Sequence, residues 1–147
     1  MANEISESCI FCEIREGKAP AYRIHEDEHS FVILDINPFA RCHCLVISRR
    51  HVPWWNDLAE EEAGSLFRVA RLTTAKIKEA FHPDFVCMYA RGIRVPHTHI
   101  FLVPTSGGDM LDRFFNGLER AQESSEELAG LREHRSLQEV AARLREM

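Results

Sequence analysis

Two histidines in one strand-like stretch carry the most specific chemistry in this chain. In Val95-Pro96-His97-Thr98-His99-Ile100-Phe101-Leu102-Val103-Pro104, the alternation of a strand places His97, His99 and Phe101 on one side and Thr98, Ile100 and Leu102 on the other. A lone histidine in an apolar strand is most simply a core residue satisfied by a carbonyl. Two on one face point instead to a functional site. With a pKa near ~6.5, imidazole offers a neutral nitrogen at pH 7 that can attack phosphorus or bind a metal. A backbone carbonyl on the second nitrogen would fix the tautomer and aim the reactive one.

His43 and His51 extend the set, and Cys9 and Cys12 form a C-x-x-C. Tetrahedral zinc takes two thiolates about three residues apart plus two ligands from distant segments, so a Cys2His2 site can be assembled from these residues. A redox pair is the rival reading. It normally sits at a helix N-terminus after a strand, a setting that CIFCEI lacks. The cysteine count is five, an odd number that argues against a disulfide framework. Cys42, Cys44 and Cys87 lie in apolar surroundings and read as small core residues. His25, His29, His82 and His134 lie among charged residues or at element ends and read as solvated. Trp54 and Trp55, after Pro53, read as packing beneath a loop, with covering a pocket as the alternative.

The elements that position these residues follow from pattern. Residues 9–16 alternate loosely and lead into the turn Gly17-Lys18-Ala19-Pro20. Strand-like runs follow at Tyr22–Glu26, Ser30–Asp35 and His43–Ser48, with Asn37-Pro38 as punctuation. Residues 57–81 read as the main helix, with Asp57 as N-cap and Glu60, Glu61 and Glu62 in the first turn. Its apolar stripe is Leu66, Phe67, Ala70, Thr73, Thr74 and Ile77. Strands at Phe85–Tyr89 and Val95–Val103 come next, joined by the link Ala90-Arg91-Gly92-Ile93-Arg94. Beyond Ser106-Gly107-Gly108 the chain has helical periodicity to its end. The fold class read from this order is α+β: an antiparallel sheet of about five strands, one main helix and a C-terminal helical tail. The divisions expected are a disordered leader at 1–8, a domain at 9–105, and an extension at 106–147 packed on the domain or on a dimer.

The chain has 147 residues and 45% hydrophobic content, enough for one domain with a real core. Its formal net charge is −5, and no run of Lys and Arg stands clear of compensating acids. A nucleic-acid polymer is therefore not an expected partner, whereas a small anionic ligand is compatible with a local pocket field. No stretch is long and apolar enough to span a bilayer, and MANEISES lacks the basic and apolar regions of a signal peptide. The expectation is a cytoplasmic protein without a membrane partner.

The order of these features resembles the histidine triad (HIT) family over roughly residues 9–105. The family pattern appears as Cys9-Ile10-Phe11-Cys12-Glu13-Ile14, then Leu34-Asp35-Ile36-Asn37-Pro38. It continues with Cys42-His43-Cys44-Leu45-Val46-Ile47 and His51, and ends with the signature at His97–Pro104. The resemblance implies a HIT-like fold and a homodimer. It also implies a nucleotidyl hydrolase or transferase acting at the α-phosphate of a nucleoside phosphoramidate or (di)nucleoside polyphosphate. By it, His99 is the nucleophile and forms a nucleotidyl-histidine intermediate, with His43 and His97 completing the catalytic set. Asp35 accepts from ribose hydroxyls, and Ile10, Phe11, Ile14 and Ile33 form the slot for the base of a purine nucleotide or nucleotide conjugate. Cys9, Cys12, His51 and His97 map onto the ligands of a structural zinc.

Three departures from the family pattern stand out. Phe101 replaces the third signature histidine, so a donor worth about 10²–10³ in rate is lost. The link before the signature lacks the family's Gly-Gln-Ser/Thr segment. Its arginine Arg94 is assigned as a replacement phosphate contact, since a guanidinium fork suits phosphate. Cys42 replaces a glycine before His43, with an altered strand entry expected. The catalytic reading requires His99 and His43 to open together into an anion-accepting cleft; a catalytically weak, zinc-stabilised nucleotide-binding module is the alternative.

Overall fold

The structure, a computed structural model, describes residues 9–147; the leader expected at 1–8 lies outside them. The chain divides into two compact units, one ending at Gly107 and the other running from Gly108 to Met147. The first contains α1 (Ile10–Arg15), β1 (Arg23–Glu26), β2 (Ser30–Leu34), β3 (Cys44–Ser48), α2 (Glu60–Phe81), β4 (Phe85–Tyr89) and β5 (His99–Thr105). The sheet order is β1-β2-β3-β5-β4, with every neighbouring pair antiparallel. This is the α+β class and the five-stranded antiparallel sheet that the sequence implies.

Strand alternation sorts the core into two faces. Val32, Cys44, Val46, Ile100 and Leu102 meet α2 through Leu66, Val69, Ala70 and Ile77. Phe31, Ile33, Leu45 and Ile47 meet α1 through Phe11 and Ile14. The odd-numbered residues of β5, His99 and Phe101, therefore belong to the α1 face. The central strands β2 and β3 are almost wholly buried, whereas the edges β1 and β4 are half exposed. A polar anchor ties α2 to the β1–β2 turn: Ser65 Oγ lies 2.7 Å from Ser30 Oγ and donates to the Asp27 carboxylate at 3.2 Å.

Several local expectations are corrected. Residues 10–15 form a helical turn, because Phe11 and Ile14, three apart, both reach the core. Helix α2 begins at Glu60 with Ala59 as N-cap, and Asp57 ends a 3-10 turn spanning Trp55–Asp57. Alanine offers no side-chain acceptor, so the Glu62 carboxylate stabilises this end alone, accepting from Ala59 N–H at 2.8 Å. The buried stripe includes Val69, while Phe67 is 63% exposed, one position round the helix from Leu66 and outside the core arc. Strand β5 starts at His99 and not at Val95. Pro96 has no N–H to give, and the N–H groups of His97 and Thr98 go to Val95 O and Val52 O at 2.8 and 2.7 Å. Cys44 is buried, but Cys42 and Cys87 are only partly so.

The second unit is helical, as the periodicity implies: α3 (Met110–Ser124), a 3-10 stretch (Glu126–Arg132) and α4 (His134–Arg145). The Asp109 side chain caps α3, accepting from Asp112 N–H at 2.8 Å. Among the described residues, no helix is long and apolar enough to cross a membrane.

Candidate functional site

Three segments bring the cysteines and two of the histidines to one point. Helix α1 carries Cys9 at its N-cap and Cys12 in its first turn. The loop after β3 carries His51, and the extended segment before β5 carries His97. One donor atom from each lies within 4.8 Å of every other. His97 Nδ1 is 3.3 Å from Cys9 Sγ, 3.6 Å from Cys12 Sγ and 3.1 Å from His51 Nδ1, and Cys12 Sγ is 3.4 Å from His51 Nδ1. Donors bound tetrahedrally at about 2.0–2.3 Å stand roughly 3.3–3.8 Å apart. The residues present thus fit zinc in both donor type and spacing. The pair Cys9/Cys12 does open a helix, contrary to the expectation used against a redox role. Each sulfur nevertheless faces an imidazole nitrogen. Burial, then the neighbouring Cys9 sulfur, pushes the Cys12 thiol up to about 11, and burial pushes His97 down to about 4.

Both nitrogens of His97 are engaged. Nε2 donates to Ser48 O at 2.7 Å, which leaves Nδ1 without a proton and aimed at the cluster, the usual arrangement of a metal-ligating histidine. The His97 carbonyl accepts from His99 Nδ1 at 2.6 Å. That bond places the proton of His99 on Nδ1 and the lone pair on Nε2. Burial holds His99 below the ordinary histidine range, opposed by the His97 carbonyl and by Asp35, so the ring is neutral at pH 7. Phe11 packs edge-on against His99, with ring centroids 5.0 Å apart.

His43 lies just before β3. Its Nδ1 accepts from Phe39 N–H at 3.2 Å, so the proton is on Nε2. That N–H is 3.6 Å from Asp35 Oδ2 and has no hydrogen-bond partner among the described residues. Burial lowers the His43 pKa and Asp35 opposes it. Asp35 Oδ1 accepts from Asn37 N–H at 2.7 Å. The preceding Cys42 has φ 71, so the cysteine takes up the left-handed backbone that a glycine would supply freely.

Phe101 lies against both imidazoles, with centroids 4.9 Å from His99 and 5.6 Å from His43. It stacks on its cross-strand neighbour Tyr89 at 4.7 Å and 10°, an aromatic partner that the sequence reading did not single out. The expected shared opening is not formed: His43 is 1% exposed and His99 is 5% exposed. His99 lines a tight crevice of about 10 Å³, bordered by Pro53, Trp54, Trp55, Arg91 and Gly92 among others. Gly92 has φ 69, and a Cβ there would stand 3.7 Å from Pro53 O, in ordinary van der Waals contact.

The remaining expected residues are placed as follows. Phe11, Ile14 and Ile33 are buried in the α1-face core, and Ile10 is 42% exposed. Arg94 is exposed and does not line the cleft; Arg91 does. Trp54 and Trp55, 49% and 65% exposed, edge this cleft instead of packing beneath a loop. The signal for that role was in the sequence, two adjacent indoles ahead of α2, but the approach of the 90–94 link was not.

Comparison with known proteins agrees with this geometry. The HIT domain family model matches residues 16–108. An uncharacterised HIT-like protein of Mycobacterium tuberculosis is 36% identical over 141 residues, covering 91% of this chain and 97% of its own. The adenosine 5'-monophosphoramidase of Schizosaccharomyces pombe is 28% identical over 102 residues, covering 66% of this chain and 74% of its own. The crystal structure of a zinc-bound histidine triad family protein from Mycobacterium smegmatis superposes with TM-score 0.65 at 31% identity. It covers 78% of this chain and 97% of that one.

Proposed function

The chain belongs to the HIT family, and from that premise we propose that it is a nucleotidyl hydrolase or transferase that cleaves at the α-phosphate of a nucleoside phosphoramidate or (di)nucleoside polyphosphate. The observation that carries the reading is the 2.6 Å contact between His99 Nδ1 and His97 O. It leaves Nε2 as a neutral nucleophile on a histidine that lines the crevice beside the 53–55 loop and the 90–92 link. His99 Nε2 forms a bond to phosphorus as the bond from phosphorus to the leaving group breaks, and the electron pair departs on that group. Water then cleaves the P–N bond and releases the nucleoside monophosphate. The buried, unpartnered Nε2–H of His43 supplies a donor for a phosphate or ribose oxygen, and Asp35 accepts from ribose. The substrate is a purine nucleotide or nucleotide conjugate, its base against the exposed edge of Ile10. A zinc held by Cys9, Cys12, His51 and His97 would supply folding energy and not reaction chemistry. These ligands join α1 to the segment that carries His99, so His97 acts on catalysis through its carbonyl.

A second reading, a zinc-stabilised nucleotide-binding module, is favoured by the deep burial of His99 and His43, which do not form the shared opening that the catalytic reading calls for, and by the aromatic ring at 101. Incubation with an adenylated amine, followed by mass spectrometry, separates the two. The enzyme forms an adenylyl adduct that maps to His99, and His99→Ala loses turnover while nucleotide still binds. Nucleotide binding with no adduct, or undiminished turnover in His99→Ala, refutes the enzyme.

A further inference from the structure

We propose that Cys42 and Cys44 form a dithiol that peroxide oxidises to a disulfide, and that closing this bridge unseats the His43–Asp35 pair beside it. The dithiol stands on its own geometry. Its consequence for function rests on the nucleotide reading of His43 and Asp35.

Cys42 occupies a backbone conformation that its residue type does not favour. Its φ of 71 lies in the left-handed region, which costs an L side chain about 1–2 kcal/mol and a glycine almost nothing. Packing gives little in return, because Cys42 is only half-buried, at the margin of the α2-face core. Strain kept at such a position points to a use for the side chain itself.

That side chain has a partner of its own kind. Cys44, two residues on, is 1% exposed and belongs to the same α2-face cluster. Its thiol donates to Cys42 O at 3.4 Å. Burial, and then the neighbouring Cys42 sulfur, push the Cys44 thiol up to about 12, so the two sulfurs lie within reach of each other's charge. Residues two apart are at most about 7 Å apart between Cα atoms, close to the roughly 4.4–6.8 Å that a disulfide spans. A bridge here needs only local rearrangement.

The two thiols divide the chemistry between them. Cys42 is the one that solvent reaches, and its sulfur attacks one oxygen of hydrogen peroxide. The O–O bond breaks, the other oxygen leaves as water with the thiol proton, and Cys42 becomes a sulfenic acid. Cys44, protonated and enclosed, is not the first to react. Its sulfur then attacks the Cys42 sulfur, the S–O bond breaks, and a second water departs with the Cys44 proton. Two thiols are oxidised to one disulfide as one peroxide is reduced to two waters.

The bridge encloses His43, the residue between. His43 N–H donates to Ala40 O at 3.1 Å, and His43 O accepts from Asp35 N–H at 2.9 Å. The His43 ring stands 3.6 Å from Asp35 Oδ2. Drawing Cys42 and Cys44 together turns the peptide groups on both sides of His43, so the bond to Asp35 N–H and the approach of the two side chains change together.

Tryptic digestion separates the cysteines by peptide. Cys9 and Cys12 share the one ending at Arg15, Cys42 and Cys44 share Cys42–Arg49, and Cys87 is in Glu79–Arg91. The full-length protein is treated with hydrogen peroxide, alkylated, digested and weighed, with zinc content measured alongside so that oxidation of Cys9 and Cys12 is scored separately. Cys42–Arg49 should weigh two hydrogens less and take up no alkyl group, with zinc content unchanged, and dithiothreitol should restore both thiols. Calorimetry with AMP should show the Kd raised about tenfold or more by oxidation and recovered on reduction. Cys42→Gly suits the left-handed backbone, so it should melt no lower than wild type, and peroxide should leave its AMP affinity unchanged. The proposal is overturned if both thiols of Cys42–Arg49 still alkylate after treatment, or if that peptide gains oxygen instead of losing hydrogen. It is equally overturned if the bridge forms without changing AMP affinity, or if Cys42→Gly loses affinity under peroxide as wild type does. Reduced protein that fails to bind AMP, with the bridge still forming, refutes the nucleotide reading and leaves the dithiol standing.

Discussion

Replacing Phe101 by histidine tests whether the aromatic ring at this position limits turnover. The side chain sits on the α1 face of the sheet, 4.9 Å from His99 and 5.6 Å from His43 between ring centroids. An imidazole in its place would bring a nitrogen to the region where the oxygens of a phosphorus bonded to His99 must lie. One such donor is worth about 10²–10³ in rate, or roughly 2.7–4 kcal/mol of barrier. The change costs stability as well. Phe101 stacks on Tyr89 at 4.7 Å and belongs to the α1-face core. Losing that stack and placing a polar ring in a half-buried position destabilises the fold by about 1–2 kcal/mol. For a unit of about 100 residues this lowers the melting temperature by roughly 4–16 °C. The assay is steady-state hydrolysis of adenosine 5'-phosphoramidate and of diadenosine triphosphate by Phe101→His, with His99→Ala/Phe101→His as the control. The amine substrate should gain about 10²–10³ and the anhydride less than about tenfold, because only the amine needs a proton to depart. A folded Phe101→His with no gain on the amine, or with equal gains on both, would refute this reasoning.

Two further outcomes follow from the same geometry. Purified protein should contain about one zinc per chain by elemental analysis, and Cys12→Ser should lose the metal and melt at a lower temperature, since binding energy at such a site is folding energy; an unchanged melting curve would exclude a structural ion. Glu62 is held down to about 2, first by the Arg50 fork and then, against burial, by Ala59 N–H. A depressed carboxylate stabilises the fold above its unfolded value of about 4.3 and loses that contribution as pH falls towards 2. Glu62→Gln should therefore cost about 1 kcal/mol at pH 7, and chemical denaturation should show the gap to wild type closing between pH 4.5 and about 2.

The parts of this molecule legible in its sequence are those fixed by local periodicity or by short spacing. Ser30–Leu34 and Cys44–Ser48 read as strands because β-branched and apolar residues run unbroken between turn residues, and their burial agrees. The donor set Cys9, Cys12, His51 and His97 rests on the chemistry of zinc ligands and on family order, and the structure brings all four together. Residues 9–16 were misread as loosely alternating, because one turn of helix is too short to reveal its period. The start of β5 was misread because Pro96 diverts the chain, so that Thr98 N–H bonds Val52 O before sheet pairing begins. Helix α2 lost its expected cap because Trp55–Asp57 forms a turn of its own.

What the sequence could not show is enclosure. The exposure of His99 is set by the segments that line the crevice beside it, the 53–55 loop and the 90–92 link with its positive φ at Gly92. Of the two arginines in the link, Arg94 is the one assigned from the sequence to phosphate. The turn at Gly92 instead puts Arg91 beside the two indoles. The same link that departs from the family pattern thus decides both how His99 is covered and which charge sits beside it. The burial of His99 thus owes as much to this cover as to the strand that carries it.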